Sequence, residues 1–244
     1  MQLRRRSGVS KSCRSERILW QSPPIVFVIL LALAPLVAAQ TTFTQNSADK
    51  IGLLKRAVVI VTTLDREGNP LLQGSGFFIA DNRIVTNMHV IRDAGIIRIE
   101  TFDGNTSTVH KVVAVNERED LALLLMEAPN ADATILQLAD SAPVEGEAIV
   151  VMSNPRGSQW KLTSGEVGPI WEFKGTGNRI QITASILPGS SGGPVVNQEG
   201  HVVGIAVMHL HSIDDLNFAV PVESLKALQA STRIATLRSS ATGR

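Results

Sequence analysis

The sequence predicts an all-β chain folded as two β-barrels in tandem, followed by a short C-terminal helix. Short runs rich in Val and Ile recur along the chain, Gly, Asn, Asp and Pro punctuate them, and helical periodicity is nearly absent before Glu223 to Ala230. Many evenly spaced short strands favour a sandwich or closed barrels.

In chain order, AVVIVTT, GFFIA, RIVTN, IIRIE, STVHKVVAV and LALLLM read as the strands of a first unit, broken by DREGNP, ADN and FDGN. β-Branched residues suit the pleated strand, whereas the Gly, Asn, Asp and Pro of the breakers supply turn conformations. MEAPNADA marks a division near residues 127–140. ATILQL, EAIVVM, WKLTSGEV, RIQITAS, GPVVN, HVVGIAVMHL and LNFAVPV form the second series, with the helix at Glu223 to Ala230 packed on it. The resulting organisation is a leader over 1–39, a flexible segment over 40–50, a folded unit over 51–230 and a flexible tail over 231–244. Within that unit the barrels cover about 51–130 and 140–230.

The leader is set apart by charge and hydropathy. Arg4, Arg5, Arg6, Lys11, Arg14 and Arg17 form a basic start, Ile25 to Ala39 an apolar run, and Val37, Ala38 and Ala39 a small-residue site for signal peptidase, with cleavage expected after Ala39. An uncleaved anchor is the alternative, but fifteen residues containing Pro35 fall short of a span of about 20. Gly8 follows Arg5 and Arg6 where twin-arginine export calls for a more apolar stretch. The expected location is secreted or periplasmic, with membrane contact only through an uncleaved leader.

The leader holds six of the 23 basic and one of the 22 acidic residues, so the remaining chain carries a net charge of about −4, which argues against nucleic acid as a partner. The single cysteine, Cys13, also lies in the leader, so no disulfide or cysteine metal site is expected beyond it. No cluster of histidine and carboxylate has metal-ligand spacing, and no cofactor is expected.

Chemistry concentrates in ILPGSSGGPVV, Ile186 to Val196. Ser191 within Gly189-Ser190-Ser191-Gly192-Gly193 fits the G-x-S-x-G pattern of a nucleophile elbow, yet Pro194-Val195-Val196 starts a strand where that elbow needs a helix. A serine hydroxyl needs a base to take its proton and a third group to hold that base. Upstream, His89 follows the strand of RIVTNMHVI, and Asp120 in EREDLALLLM precedes another. Each alone reads as a surface histidine or a solvated strand cap. Together, the order His, Asp, Ser matches one of the recurring triad orders.

These residues sit in a longer pattern. GSGFFIADNRIVTNMHVI, REDLALLLM, TSGEV, PGSSGGPVVN, GHVVGIAV and LNFAVPV resemble successive landmarks of the HtrA (Do-like) serine endopeptidases, which have a chymotrypsin-like, trypsin-like fold, from about Ile51 to Ala230. The resemblance implies two six-stranded barrels and a protease domain acting on unfolded or damaged polypeptides. It makes His89 the general base, Asp120 its orienting acid and Ser191 the nucleophile. Gly189, Ser190 and Ser191 form the oxyanion loop, with the N–H groups of Gly189 and Ser191 as donors and Gly192 and Gly193 leaving room for substrate.

Ser190 departs from the family, which commonly has Asn there, and from trypsin relatives, whose Asp pairs with a freshly cut N-terminus; no dependence on such a cut is expected. The chain ends soon after Ala230, before the PDZ domain usual in HtrA proteins, so PDZ gating and large cages are not implied, and a homo-oligomer is left open. A first specificity pocket is expected within Thr183 to Leu187, Val207 to His209 and Leu216 to Phe218. Its marked residues are Ser185 at the base, Leu187, His209, and Leu216, which makes it shallow. Asp214 and Asp215 read as an exposed turn, and Trp160 and Trp171 as packing in the second barrel. A non-catalytic binding or chaperone module on the same fold is the competing function.

Overall fold

The structure is a computed structural model that describes residues 51–154, 160–207 and 216–242, with side chains up to residue 232. Its strands close into two six-stranded antiparallel barrels. The first contains β1 (Val58–Leu64), β2 (Pro70–Ala80), β3 (Arg83–Thr86), β4 (Ile96–Glu100), β5 (Thr106–Asn116) and β6 (Leu121–Met126), in the order β1-β2-β3-β6-β5-β4. The second contains β7 (Ala148–Ser153), β8 (Lys161–Phe173), β9 (Gly177–Ile182), β10 (Pro194–Asn197), β11 (Val202–Val207) and β12 (Asn217–Pro221), in the order β10-β11-β12-β9-β8-β7. Residues 51–57 are helical (α1), a single turn α2 spans Met88–Ile91, and α3 spans Val222–Thr242.

The continuous apolar runs arise because several strands are buried on both faces. Along β6, Ala122, Leu124 and Met126 fill barrel one while Leu121 and Leu123 face a second core, as the two-residue period of a strand requires. That second core draws Val58, Phe77 and Val85 from barrel one, Met152, Val196, Ile205, Phe218 and Val220 from barrel two, and Leu225 and Leu228 from α3. Ile149, Val151, Val167, Ile180, Ile182 and Val195 fill barrel two. The barrels are thus welded by apolar side chains.

The structure departs from the sequence expectations at identifiable places. ATILQL forms no strand: it is the connection between barrels, held by Leu136 N–H on Phe78 C=O at 3.1 Å and a single bridge from Leu138 to Val202. Its apolar residues serve a tie, with Leu136 in the shared core. β2 starts at Pro70, inside the expected breaker, because proline is tolerated at a strand's first position. The turn before it is closed by Asn69, whose side chain and backbone N–H donate to Asp65 and hold that carboxyl below its usual range. α3 continues past Ala230 to Thr242, so residues 231–242, expected as tail, have helical backbone. Both short helices, α1 and α2, lack the length to show periodicity. Trp171 packs on Phe173 and Phe218 of barrel two, whereas Trp160 meets Phe102 in the β4–β5 turn of barrel one, with ring centroids 5.7 Å apart. The leader, the 40–50 segment and Asp214 and Asp215 lie outside the described residues.

Register places the site. Thr86 at the end of β3 pairs with Ala122 near the start of β6, so α2 leaves the barrel where the turn before β6 arrives. His89 and Asp120 therefore meet at one end of barrel one.

Candidate active site

The turn carrying Asp120 and helix α2 are bonded by backbone as well as side chains. Asp120 sits in the left-handed region at φ 56°, a conformation that Asp tolerates better than most residues. Its carbonyl accepts Met88 N–H at 3.2 Å and Asn87 Nδ2 at 2.9 Å. Its carboxylate accepts His89 N–H on Oδ1 at 2.8 Å and contacts His89 Nδ1 through Oδ2 at 2.6 Å. A carboxylate against Nδ1 favours the tautomer with its proton on that nitrogen, leaving Nε2 as the basic nitrogen. The imidazole is about one third exposed and the carboxylate is 17% exposed, so the pair is neither locked in the core nor freely solvated.

Ser191 lies on the segment between β9 and β10, and its backbone is bonded to barrel one. Its carbonyl accepts Ser75 N–H from β2 at 2.8 Å, and Gly192 N–H donates to Ala206 C=O of β11 at 2.8 Å. Gly74 marks the convergence: a Cβ there would lie 2.8 Å from the methyls of Val90 and 3.0 Å from the carbonyl oxygen of Ser191. The neighbour of His89 and the backbone of Ser191 thus meet over β2, in space only glycine leaves. Gly192 is equally constrained, with φ 89° and an imagined Cβ 2.1 Å from Ser75 C=O and 2.5 Å from Thr86 Oγ1. Its missing side chain admits barrel one rather than substrate, contrary to the sequence expectation.

The two serines of ILPGSSGGPVV are separated by their bonds. Ser190 is 2% exposed, with Oγ 3.0 Å from Ser153 Oγ and accepting Leu187 N–H at 3.2 Å. Its N–H donates to Leu187 C=O at 2.8 Å, so Ser190 belongs to the oxyanion loop without offering it a donor. Ser190 is a neutral pin beneath the loop. Gly189, at φ 92°, directs its carbonyl to Ser75 Oγ at 2.8 Å.

Of the expected pocket residues, Ser185 is exposed, Leu187 and Leu216 are half-buried, and His209 lies outside the described residues. Ser185 C=O accepts Thr163 Oγ1 at 3.1 Å, and Ile186 N–H is held by Asn217 Oδ1 at 3.2 Å. Among the described residues no group of three His, Cys, Asp or Glu is arranged to hold a metal ion.

The sequence reading missed Ser75, Asn87 and an ion pair behind the acid. Arg179 of β9, its side chain 4% exposed, donates to Glu119 at 3.3 Å, and Ser224 of α3 donates to the same carboxylate at 3.2 Å. Burial pulls the Arg179 pKa below its usual value, against the opposing charges of Glu119 and Asp120. The signal available was Glu119 itself, an acid in the turn before a core strand; its partner lies 60 residues away.

Paired six-stranded barrels with a His–Asp pair and a glycine-framed serine loop at their interface define a chymotrypsin-type hydrolase architecture. The chain belongs to the trypsin-like peptidase domain family, whose sequence model matches residues 74–205, over half of the chain, and within that family it is HtrA-like. It is 34% identical to mitochondrial serine protease HTRA2 of Bos taurus over 84% of this chain and 47% of that protein. A probable periplasmic serine endoprotease, DegP-like, of Brucella suis is 36% identical over 56% of this chain and 27% of that protein. The anti-sigma-I factor RsgI9 of Acetivibrio thermocellus is 29% identical over 71% of this chain and 24% of that protein. The crystal structure of the serine endoprotease from Yersinia pestis superposes with a TM-score of 0.64 at 26% identity, covering 75% of this chain and 65% of that one. The chain spans less than half the length of each of these curated relatives.

Proposed function

We propose that the protein is a serine endopeptidase in which His89, Asp120 and Ser191 act as base, orienting acid and nucleophile. The observation that carries this reading is the doubly bonded His89–Asp120 pair, with Nδ1 to Oδ2 at 2.6 Å and N–H to Oδ1 at 2.8 Å. Ser191 Oγ attacks the peptide carbonyl carbon as its proton passes to His89 Nε2. The carbonyl oxygen becomes an oxyanion, stabilised by the N–H groups of Gly189 and Ser191. The tetrahedral species expels the amine, which takes the proton from His89, leaving an acyl ester on Ser191. Water, deprotonated by His89, then cleaves that ester and restores the serine.

Small or medium apolar residues are favoured on the acyl side of the cut bond, since neither Ser185 nor Leu216 offers a charge and the bulk of Leu216 limits depth. The substrates proposed are unfolded or damaged polypeptides outside the cytoplasm. The basic and apolar leader supports export, and the Brucella relative's name supports a periplasmic setting.

Fluorophosphonate labelling tests the nucleophile directly. The folded protein is expected to form a covalent adduct on Ser191 and to cleave an unfolded protein substrate; Ser191→Ala loses both with its melting temperature nearly unchanged. An unlabelled wild-type Ser191 sinks the proposal and favours a binding module.

A further inference from the structure

Ser75 is fully buried at the middle of β2 in barrel one, and every polar group it has is hydrogen-bonded. Its N–H donates to Ser191 C=O at 2.8 Å, its hydroxyl donates to Gly189 C=O at 2.8 Å, its Oγ accepts Asn154 N–H at 3.2 Å, and its carbonyl accepts Thr86 Oγ1 at 2.8 Å. One residue of the first barrel therefore grips two carbonyls of the nucleophile loop of the second.

The geometry of that grip bears on the oxyanion. Gly189 C=O and Ser190 N–H belong to one planar peptide unit. Ser75 Oγ holds its oxygen at 2.8 Å and Leu187 C=O holds its N–H at 2.8 Å, so the plane is pinned at both ends. The peptide planes on either side carry the N–H groups of Gly189 and Ser191. Ser190 Oγ, on Ser153 and Leu187, secures the same segment from below. We propose that Ser75 is a positioning residue for the oxyanion donors: its hydroxyl fixes the Gly189–Ser190 peptide so that the flanking amides converge on the substrate carbonyl oxygen. This rests on the serine endopeptidase reading.

The test compares wild type with Ser75→Ala in peptide cleavage and in affinity for a peptide aldehyde, whose adduct with Ser191 places an oxygen where the oxyanion forms. Donors that act on developing charge affect the transition state and not substrate binding. The expected result is a kcat lower on the order of 100-fold, KM within about twofold, and aldehyde affinity weakened by the same factor as kcat/KM. A kcat within about twofold of wild type, or a loss confined to KM, overturns the proposal. Where Ser75→Ala does not fold, Ser75→Cys keeps the size with a weaker donor; a kcat below wild type supports the proposal and an unchanged kcat overturns it. Amide hydrogen exchange over residues 187–192 gives a readout independent of turnover. Faster exchange in the variant than in wild type supports the grip, and equal exchange removes it. A wild-type protein inert to fluorophosphonate defeats the endopeptidase reading, while the exchange comparison still decides the role of Ser75.

Discussion

Asp120 combines three tasks in one residue: a left-handed backbone, a carbonyl that accepts from Met88 and Asn87, and a carboxylate that takes both His89 donors. Replacing it with Asn keeps the size and the backbone bonds but offers an amide N–H to an imidazole that needs an acceptor. Asp120→Asn is therefore expected to remain folded and to lose about 10⁴ in kcat, the size of the tautomer effect in the serine-protease triad. Steady-state kinetics check it, and a loss below about tenfold returns Asp120 to the role of a strand cap. At this scale the sequence offered candidates where chemistry demands rare residues in a fixed order, and the structure brings two of them, His89 and Asp120, into contact. The sequence was silent on Ser75, because a serine between two glycines in GSGFF carries no mark of the barrel it will face. The bonds of Ser190 were hidden for a related reason: the direction of its N–H is decided by a turn to Leu187 that composition does not encode.

Among elements, the turn before β6 is held from the far barrel. Arg179 on β9 is all but removed from water, and Glu119 is the carboxylate it contacts, supported by Ser224 on α3. Removing one partner of a buried ion pair strands the other charge, at a cost of about 3–5 kcal/mol, whereas removing both is far milder. Glu119→Gln is thus expected to lower stability by about that amount, and Glu119→Gln combined with Arg179→Met to recover most of it. Urea unfolding of the two variants checks the pair; a double variant no better than the single one rules out an unpaired guanidinium as the cause. Strands were legible as elements because β-branched runs and turn residues alternate along the chain, and most of the thirteen expected runs lie on a strand. ATILQL misled because an apolar run records burial and not conformation: residues 133–138 are buried in part by crossing between barrels. The length of α3 was hidden by the weak amphipathic pattern of QASTRIATLRSS, whose polar residues read as a tail.

On the scale of the whole molecule, the catalytic proposal requires the two barrels to behave as one body, since the base and acid belong to one and the nucleophile to the other. The packing supports this through a core to which both contribute. Leu123 of β6 is 1% exposed, and it shares that core with Met152, Ile205 and Phe218 of barrel two. Truncating such a side chain removes transfer energy and leaves a cavity, costing about 2–5 kcal/mol. Where that cost appears depends on cooperativity. Trp160 meets Phe102 of barrel one, so in a chain beginning at Gln40 and carrying Trp160→Phe the remaining tryptophan is Trp171, which packs on Phe173 and Phe218 of barrel two and whose fluorescence reports the unfolding of that barrel. Leu123→Ala lies in barrel one. If the shared core makes unfolding a single transition, the tryptophan-detected midpoint shifts to lower denaturant, with the slope unchanged, by the full cost of the cavity. If the barrels unfold separately, the midpoint stays near that of wild type and a second transition appears by circular dichroism. That second result would mean that Ser191 and the His89–Asp120 pair are joined by a contact too weak to hold their geometry, and the interface bonds of Ser75 would then have to do so alone.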